Sequence, residues 1–167
     1  MQTAQHIIDR LQLAPHPEGG YFKETYRSTE IIAKDSLSSN YNDARNCCTC
    51  IYFLLTPNSF SAFHRINQDE VWHFYDGSPI DLHCISPEGK HEQIIIGRDI
   101  ANGQTPQYVV PGGYWFASRV LNNDGWALCG CTVSPGFDFA DFELANQKEL
   151  YTQFPEHQEI IMQLTRS

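Results

Sequence analysis

The chain has 167 residues, of which 41% are hydrophobic and 19% charged, and its formal net charge is −9. This length suits one domain with a single hydrophobic core, and the hydrophobic content excludes a disordered chain. The acidic balance, without a basic run, argues against nucleic acid or an anionic membrane as a partner.

The first predicted element is a short amphipathic helix within residues 1–14. Ile7, Ile8 and Leu11 are spaced for one helical face, and Thr3 is placed to cap it. The segment lacks the apolar stretch of a signal peptide, and nothing in the chain has the ~18–20 apolar residues of a membrane span. Together with the six cysteines, these features predict a cytoplasmic protein with reduced thiols.

A β-rich arm is predicted next, over residues 15–30. Pro15 and Pro17 end the helix, and the Gly19-Gly20 pair turns the chain into the arm. Residues 36–46 are polar and predict a surface loop or flap.

Short strand patterns then follow one another over residues 47–134. The runs are 49–55, 60–66, 71–75, 80–85, 91–96, 107–110, 114–121 and 126–133, with turn residues at 56–58, 86–89 and 122–125. Turns every ~8–12 residues predict an all-β sandwich or barrel. Helical patterns return only over 141–167, so folds built from βαβ units are not supported.

The densest polar cluster lies in residues 63–77. On the strand predicted at 60–66, His64 shares a face with apolar neighbours and should point inward. On the next strand, Glu70, Trp72 and Phe74 share one face while His73 takes the other. Alternation therefore predicts that Glu70 and His73 cannot both face the interior unless the strand bulges.

The cluster resembles the first motif of the cupin superfamily of small jelly-roll barrels. That motif carries two histidines one residue apart, then a glutamate, then a glycine at a hairpin. His64, Glu70 and Gly77 match it, and Ile66 fills the position of the second histidine. In the second cupin motif Pro111 and Gly113 match, and the histidine position falls on Phe116.

A closer resemblance covers residues 16–142. The strings at 16–22, 24–28, 63–66, 69–75, 110–116 and 134–139 resemble one uncharacterised cupin family whose members are often labelled predicted sugar epimerases. The resemblance implies one cupin domain over 1–167. Its parts would be a double-stranded β-helix core at 47–134, an arm at 15–30, and helices at 1–14 and 141–167.

The resemblance also bears on cofactors. A catalytic transition-metal site usually has three protein ligands, with histidine prominent. Ile66 and Phe116 cannot ligate a metal, so no cofactor is expected. If a divalent metal binds, the remaining candidate ligands are His64, Glu70 and His73.

The function implied is isomerisation or epimerisation of a carbohydrate-like or nucleotide-sugar metabolite. His64 is the candidate base, and Glu70 is its orienting partner, since a carboxylate stabilises imidazolium. The acid would be a tyrosine on the opposite wall; Tyr114 is the catalytic candidate, and Tyr21 and Tyr26 stay open.

Further residues are candidates for substrate binding. Arg27 or Arg65 can hold an anionic or carbonyl group, and aromatic side chains can form a stacking floor. A Glu18–Arg27 pair pinning the arm and aromatic packing in the core explain the same residues structurally. The full set is Glu18, Tyr21, Tyr26, Arg27, Arg65, Trp72, Phe74, Trp115 and Phe116.

Two other functions remain open from the sequence. The same cavity would serve a non-catalytic module that binds a small ligand, or a metal-dependent cupin enzyme such as an oxygenase or lyase. We also expect a homodimer, because jelly-roll cupins often pair through edge strands and the stretch 21–28 can add to a partner's sheet.

Overall fold

The computed structural model describes residues 3–57, 59–123 and 125–166. The ends of the predicted segments 1–14 and 141–167, and single positions in the turns at 56–58 and 122–125, lie outside the described residues. The α-helices are α1 (Ala4–Leu11), α2 (Gln147–Gln153) and α3 (Gln158–Gln163).

The strands of the described ranges follow in chain order. They are β1 (Ala14–Pro15), β2 (Tyr21–Arg27), β3 (Ile31–Ile32), β4 (Arg45–Asn46), β5 (Thr49–Leu55), β6 (Phe60–Arg65), β7 (Asp69–Gly77), β8 (Ile80–Ile85), β9 (His91–Ile96), β10 (Gln107–Val110), β11 (Trp115–Val120), β12 (Ala127–Ser134) and β13 (Glu143–Leu144).

Two antiparallel sheets form the body of the molecule. The first has the order β1-β2-β5-β12-β7-β10 and the second β13-β6-β11-β8-β9, while β3 and β4 form a small separate pair. Strands distant in sequence are therefore neighbours, as in a jelly roll. The predicted all-β architecture with α-helices at the two ends is confirmed.

The core lies between the two sheets because alternate residues of each strand turn inward. Phe53 and Trp72 of the first sheet meet Leu82 and Phe116 of the second in one buried cluster. This burial of apolar surface is the main stabilisation of the barrel.

The helices cover the outer faces of the sheets. Helix α1 begins after Thr3, whose side chain accepts a hydrogen bond from the backbone N–H of His6, and it buries Ile7 beside Leu54. Helices α2 and α3 bury Leu150 and Ile161 against the second sheet. None of the helices in the described ranges is long and apolar enough to cross a membrane.

The predicted arm is part of the first sheet. Strand β2 pairs with β5 of the same chain along Tyr21–Arg27. Its opposite edge is paired only at Tyr21 and Phe22, by β1. Only the remainder of that opposite edge is left for a partner strand.

The predicted flap at 36–46 is fixed at its end by a buried ion pair. The Arg45 guanidinium donates to both carboxylate oxygens of Asp141, at 2.7 and 2.6 Å, and the side chains are 4% and 2% exposed. Gln68 and Asn67 donate to the same carboxylate. The pair therefore joins the loop to the segment that follows β12.

We expect Asp141→Asn to destabilise the protein by about 3–5 kcal/mol, because it leaves the Arg45 charge buried without a counter-charge. The free energy of unfolding measured in urea tests this. Lys90→Met, which breaks an exposed ion pair with Glu92, is the control and should leave the urea midpoint nearly unchanged. A loss below about 1 kcal/mol for Asp141→Asn would contradict the assigned role of the pair.

Candidate functional site

A cavity of about 270 Å³ opens along the inner face of the first sheet. Strands β2, β5, β7 and β12 supply one wall, and His64 and Ile66 face them from β6 and the turn after it. The segment before β2 contributes His16 and Glu18, and residues 137–142 close one side. We call residues 137–142 the aromatic strap.

A buried ion pair between His64 and Glu18 lies in the wall. His64 Nε2 is 2.9 Å from Glu18 Oε2, with the side chains 3% and 9% exposed. His64 Nδ1 is 2.7 Å from the carbonyl oxygen of Ala62 and must donate to it. With an acceptor at each ring nitrogen, His64 holds both protons and is an imidazolium.

The pKa values of the pair follow from this geometry. Burial lowers the pKa of His64, but the Glu18 carboxylate outweighs it, so the pKa is raised. Burial raises the pKa of Glu18, but His64 and the Ser61 hydroxyl outweigh it, so that pKa is lowered. Both groups therefore stay charged near neutral pH.

Glu18 is brought to His64 by a close approach of two backbones. Gly19 has a φ of +113°, and a Cβ there would lie 2.1 Å from the carbonyl oxygen of Phe60. Only glycine fits this position. The Ala62 N–H donates to the Glu18 carbonyl, and Ser61 Oγ donates to Glu18 Oε1 at 2.8 Å.

His16 is a neutral histidine in the same wall. Its Nδ1 accepts a hydrogen bond from the backbone N–H of Glu18, so the ring proton is on Nε2. Burial lowers its pKa, and His64 adds to the decrease while Glu18 opposes it. Among the described residues, nothing accepts a hydrogen bond from His16 Nε2.

Glu70 faces the cavity without an ion-pair partner. The residue is 9% exposed, its carboxyl forms no ion pair within the described ranges, and the Cys131 thiol and the Trp72 indole lie beside it. Burial, together with the Glu18 charge, raises its pKa to about 7, although His64, Cys131 and Trp72 oppose the increase. This carboxyl therefore exchanges its proton in the neutral pH range.

The indole N–H of Trp72 lies beside that carboxyl. Trp72 is 1% exposed and Nε1 has no acceptor in hydrogen-bond geometry among the described residues. A buried donor without an acceptor is costly. The nearby Glu70 carboxylate is favoured by this N–H, which acts to lower the pKa of Glu70.

The aromatic strap supplies Phe137, Phe139 and Phe142. The rings contact one another, with centroids 4.9 to 6.4 Å apart. Phe139 also stacks on His16 at 5.9 Å. The Arg45–Asp141 pair holds the strap in place, because Asp141 is one of its residues.

Arg27 lies at the rim with its donors in use. Its Nε and Nη2 donate to the two carboxylate oxygens of Glu24, at 2.9 and 2.8 Å. The remaining contacts are from Nη1 to Asn46 and from Nη2 to the carbonyl of Phe137. The guanidinium therefore connects the strap to β2 and does not present a free fork to a ligand.

Five of the residues predicted from the sequence line this cavity, and the others lie elsewhere. His64, Glu70, Glu18, Arg27 and Trp72 are in the wall. Outside the lining are Tyr21, packed beside α1, Tyr26, which is 53% exposed, Arg65, paired with Glu143, Phe74 and Tyr114, packed on the core, and Trp115, buried under the C-terminal helices.

Strand alternation explains most of these placements. Phe116 turns inward and lies opposite His64, with ring centroids 4.1 Å apart, so its neighbour Trp115 turns outward. His73 also lies on the outer face, where its Nε2 is 3.1 Å from Thr132 Oγ1. Among the described residues that line the cavity there is no tyrosine, so Tyr114, Tyr21 and Tyr26 lie outside this wall.

The residues present do not fit the metal that cupins often hold. His64 Nδ1 is occupied by Ala62 and Nε2 by Glu18. Ile66 and Phe116 have no donor atoms, and His73 faces away. Among the residues that the structure describes, no three His, Cys, Asp or Glu side chains are grouped to hold a metal ion.

Sequence reasoning missed three parts of the site. It did not assign His16 to the wall, foresee the Glu18–His64 pair, or give the aromatic strap a role. The available signal was that His16, Glu18 and Phe139 all fall within the strings at 16–22 and 134–139 that carry the family resemblance.

A second cavity, of about 410 Å³, is larger but lies outside the barrel between β9 and the C-terminal helices. Its charged groups have partners in the protein: Arg119 donates to Asp81, and His157 Nε2–H donates to the Gly89 carbonyl at 2.7 Å. We therefore place the candidate site in the first cavity, which holds an unpaired titratable group.

Known proteins resemble this chain over most of its length. A family model described as "Cupin superfamily (DUF985)" matches residues 5–145. The uncharacterized protein YML079W of Saccharomyces cerevisiae is 39% identical over 148 residues, covering 83% of this chain and 73% of that protein.

Solved structures agree with this. A hypothetical protein from Leishmania major is 37% identical with a TM-score of 0.91, covering 99% of this chain and 100% of that chain. An oxalate decarboxylase from Bacillus subtilis is 13% identical with a TM-score of 0.54, over 90% of this chain and 36% of that chain. The second likeness concerns the fold alone.

We expect Glu70→Gln to stabilise the protein increasingly as the pH rises. The folded pKa is about 7 against an ordinary value of 4.5, so wild type loses stability as the pH rises between these values. The free energy of unfolding of the variant, relative to wild type, should therefore increase by about 2–3 kcal/mol from about pH 5 to pH 8.

Urea unfolding at several pH values measures this difference. Glu88→Gln, in the exposed turn between β8 and β9, removes the same charge at the surface and serves as the control. A difference between Glu70→Gln and wild type that does not change with pH would contradict the raised pKa.

Proposed function

The chain belongs to the cupin superfamily, in the family described as DUF985, and we propose that it is an isomerase that moves a proton within a small carbonyl compound. The observation that carries the proposal is the buried carboxyl of Glu70, which forms no ion pair within the described ranges. It faces a largely aromatic cavity, and burial raises its pKa to about 7. A base with a pKa near the working pH is best suited to take up a proton and return it.

In the proposed reaction the Glu70 carboxylate takes a proton from a carbon next to the carbonyl. The electron pair of that C–H bond moves to the carbonyl oxygen and forms an enolate. When the carbon that loses its proton carries a hydroxyl, the hydroxyl proton passes to the former carbonyl oxygen, and protonated Glu70 returns its proton to the former carbonyl carbon. The hydroxyl oxygen becomes the new carbonyl oxygen, which completes the isomerisation and restores the carboxylate. One base is sufficient for this sequence.

His64 has a different role here from the base expected from the sequence. Its two ring nitrogens are engaged by Ala62 and Glu18, so it has no free lone pair. As a fixed imidazolium in the wall it places positive charge near Glu70 and favours the enolate. The Glu70 carboxylate, not His64, is the proposed proton acceptor.

Epimerisation at one carbon would need a second group on the opposite face of the substrate. His16 is the candidate, since its Nε2–H has no acceptor in the described part of the chain. The sugar-epimerase hypothesis thus requires both Glu70 and His16, whereas isomerisation requires Glu70 alone. The non-catalytic binding module would use the same cavity without proton exchange.

We propose that the reaction needs no metal cofactor, because the donor set does not fit one. A cytoplasmic location is proposed from the cysteines, all six of which are free. The homodimer stays a prediction.

Proton exchange with solvent tests the proposal. In D2O, NMR would follow deuterium uptake next to the carbonyl in hydroxyacetone, 2-hydroxyacetophenone, D-fructose and UDP-4-keto-6-deoxyglucose. We expect wild type to accelerate the uptake in at least one compound. Glu70→Gln should lower the rate ~10²–10⁴-fold, the usual contribution of a general base.

The controls separate the alternatives. Glu88→Gln and protein treated with a chelator should retain the full rate, and His16→Gln should retain it unless the reaction is an epimerisation. A full rate in Glu70→Gln, or its loss on chelation, would contradict the mechanism. Failure of wild type to exchange any compound in the panel would favour the binding module.

A further inference from the structure

We infer that the cavity selects a flat, largely apolar carbonyl compound without an anionic group, such as an aryl ketone, in preference to a sugar phosphate or nucleotide sugar. The inference rests on the proposed function and names the substrate class for it. Four features of the cavity carry it: the apolar wall, the scarcity of free polar groups, the charge and the size.

The wall is mainly apolar. Among the described lining residues, six carry an aromatic ring, from β2, β5, β7 and the strap, and they are Phe22, Phe53, Trp72, Phe137, Phe139 and Phe142. The strap is held by the buried ion pair of its residue Asp141 with Arg45. A rigid aromatic wall favours a planar apolar ligand, which it can contact by stacking.

The polar groups in the wall are already paired with each other. Ser61 donates a hydrogen bond to Glu18, His64 forms an ion pair with Glu18, and Arg27 donates to Glu24. Thr49 Oγ1 accepts from the Phe137 N–H. A sugar brings a hydroxyl on nearly every carbon, and each hydroxyl buried here without a partner would weaken binding.

The groups left for a ligand are few. Within the described ranges, the groups of the wall that remain for a ligand are the Glu70 carboxyl, the His16 Nε2–H and the Trp72 Nε1–H, which has no acceptor. So few polar groups match a carbonyl compound with one acidic position, and do not match a polyol.

The charges disfavour an anion. Glu18, Glu24, Glu70 and Asp138 line the cavity, against His64 and Arg27. Both cations have carboxylate partners at 2.8 to 2.9 Å. A phosphate or carboxylate entering the cavity would therefore face Glu70 without a free cation among the described lining residues.

The size points the same way. The cavity of about 270 Å³ is at the lower end of ligand pockets, which commonly run from ~300 to ~1,000 Å³. A one-ring ketone can be enclosed there. The nucleotide part of a nucleotide sugar would remain outside.

Calorimetric titration at pH 8 with four probes tests the inference. They are 2-hydroxyacetophenone, benzoylformate, D-fructose and D-fructose 6-phosphate. The first two share a ring and a ketone but differ in one carboxylate. We expect 2-hydroxyacetophenone to bind at least about tenfold more tightly than any of the others, since one buried like-charge contact or a few unpaired hydroxyls suffice for that ratio.

Two variants show which features of the cavity cause the selectivity. Glu70→Gln should strengthen benzoylformate binding about tenfold, because the variant removes the charge that the carboxylate of benzoylformate meets. Phe142→Ala should weaken 2-hydroxyacetophenone about tenfold, because it removes one ring of the wall. Glu88→Gln is the control and should change neither affinity.

The outcomes separate this inference from the proposed function. Sugar or sugar phosphate binding as tightly as 2-hydroxyacetophenone, or no binding of 2-hydroxyacetophenone, would overturn it. Unchanged benzoylformate binding in Glu70→Gln would show that the Glu70 charge does not disfavour an anion, and would also overturn the inference. Selective binding of the aryl ketone without deuterium exchange would uphold the inference and defeat the isomerase.

Discussion

The ion pair between His64 and Glu18 is the interaction on which the chemistry of this cavity depends. It places two opposite charges in a buried wall, where each would be strongly unfavourable alone. Because Glu18 satisfies His64 on one side and the Ala62 carbonyl on the other, the histidine is held as a cation and cannot act as a base or a metal ligand. The same pairing leaves Glu70 as a second carboxyl near a negative charge, which together with burial raises its pKa to about 7. The pairing of His64 with Glu18 therefore determines the charge state of His64, Glu18 and Glu70.

The rest of the structure supports this arrangement from outside the cavity. The absence of a side chain at Gly19 allows the segment before β2 to approach β6, which brings Glu18 to the histidine. On the other side, the buried Arg45–Asp141 pair fixes the aromatic strap, which closes one side of the cavity that Glu70 faces. The barrel carries these two connections as a rigid scaffold, since both sheets share one continuous core.

Local pattern predicted the parts of the fold and site that depend on neighbouring residues. Alternation placed His64 and Glu70 on inward faces and His73 on the outer face, and the resemblance to cupins identified Ile66 as unable to ligate a metal. Pairings between residues far apart in sequence were not predictable in this way. Glu18 is close in sequence to Arg27 but pairs with His64, because antiparallel strand order, not sequence distance, sets which side chains meet. The polar composition of residues 36–46 likewise predicted a surface loop. It did not indicate that Arg45, near the end of this segment, is buried.

The most direct test of the account is a titration of the Glu70 carboxyl itself. Carbon-13 NMR of protein labelled at the glutamate side-chain carboxyl, with Glu70→Gln to assign the resonance, gives its pKa without any substrate. The account predicts a pKa of about 7 for Glu70, and a Glu18 carboxyl that titrates below its ordinary value. A Glu70 pKa at or below its ordinary value of 4.5 would show that the carboxyl has a partner or is solvated, and would contradict its role in proton transfer.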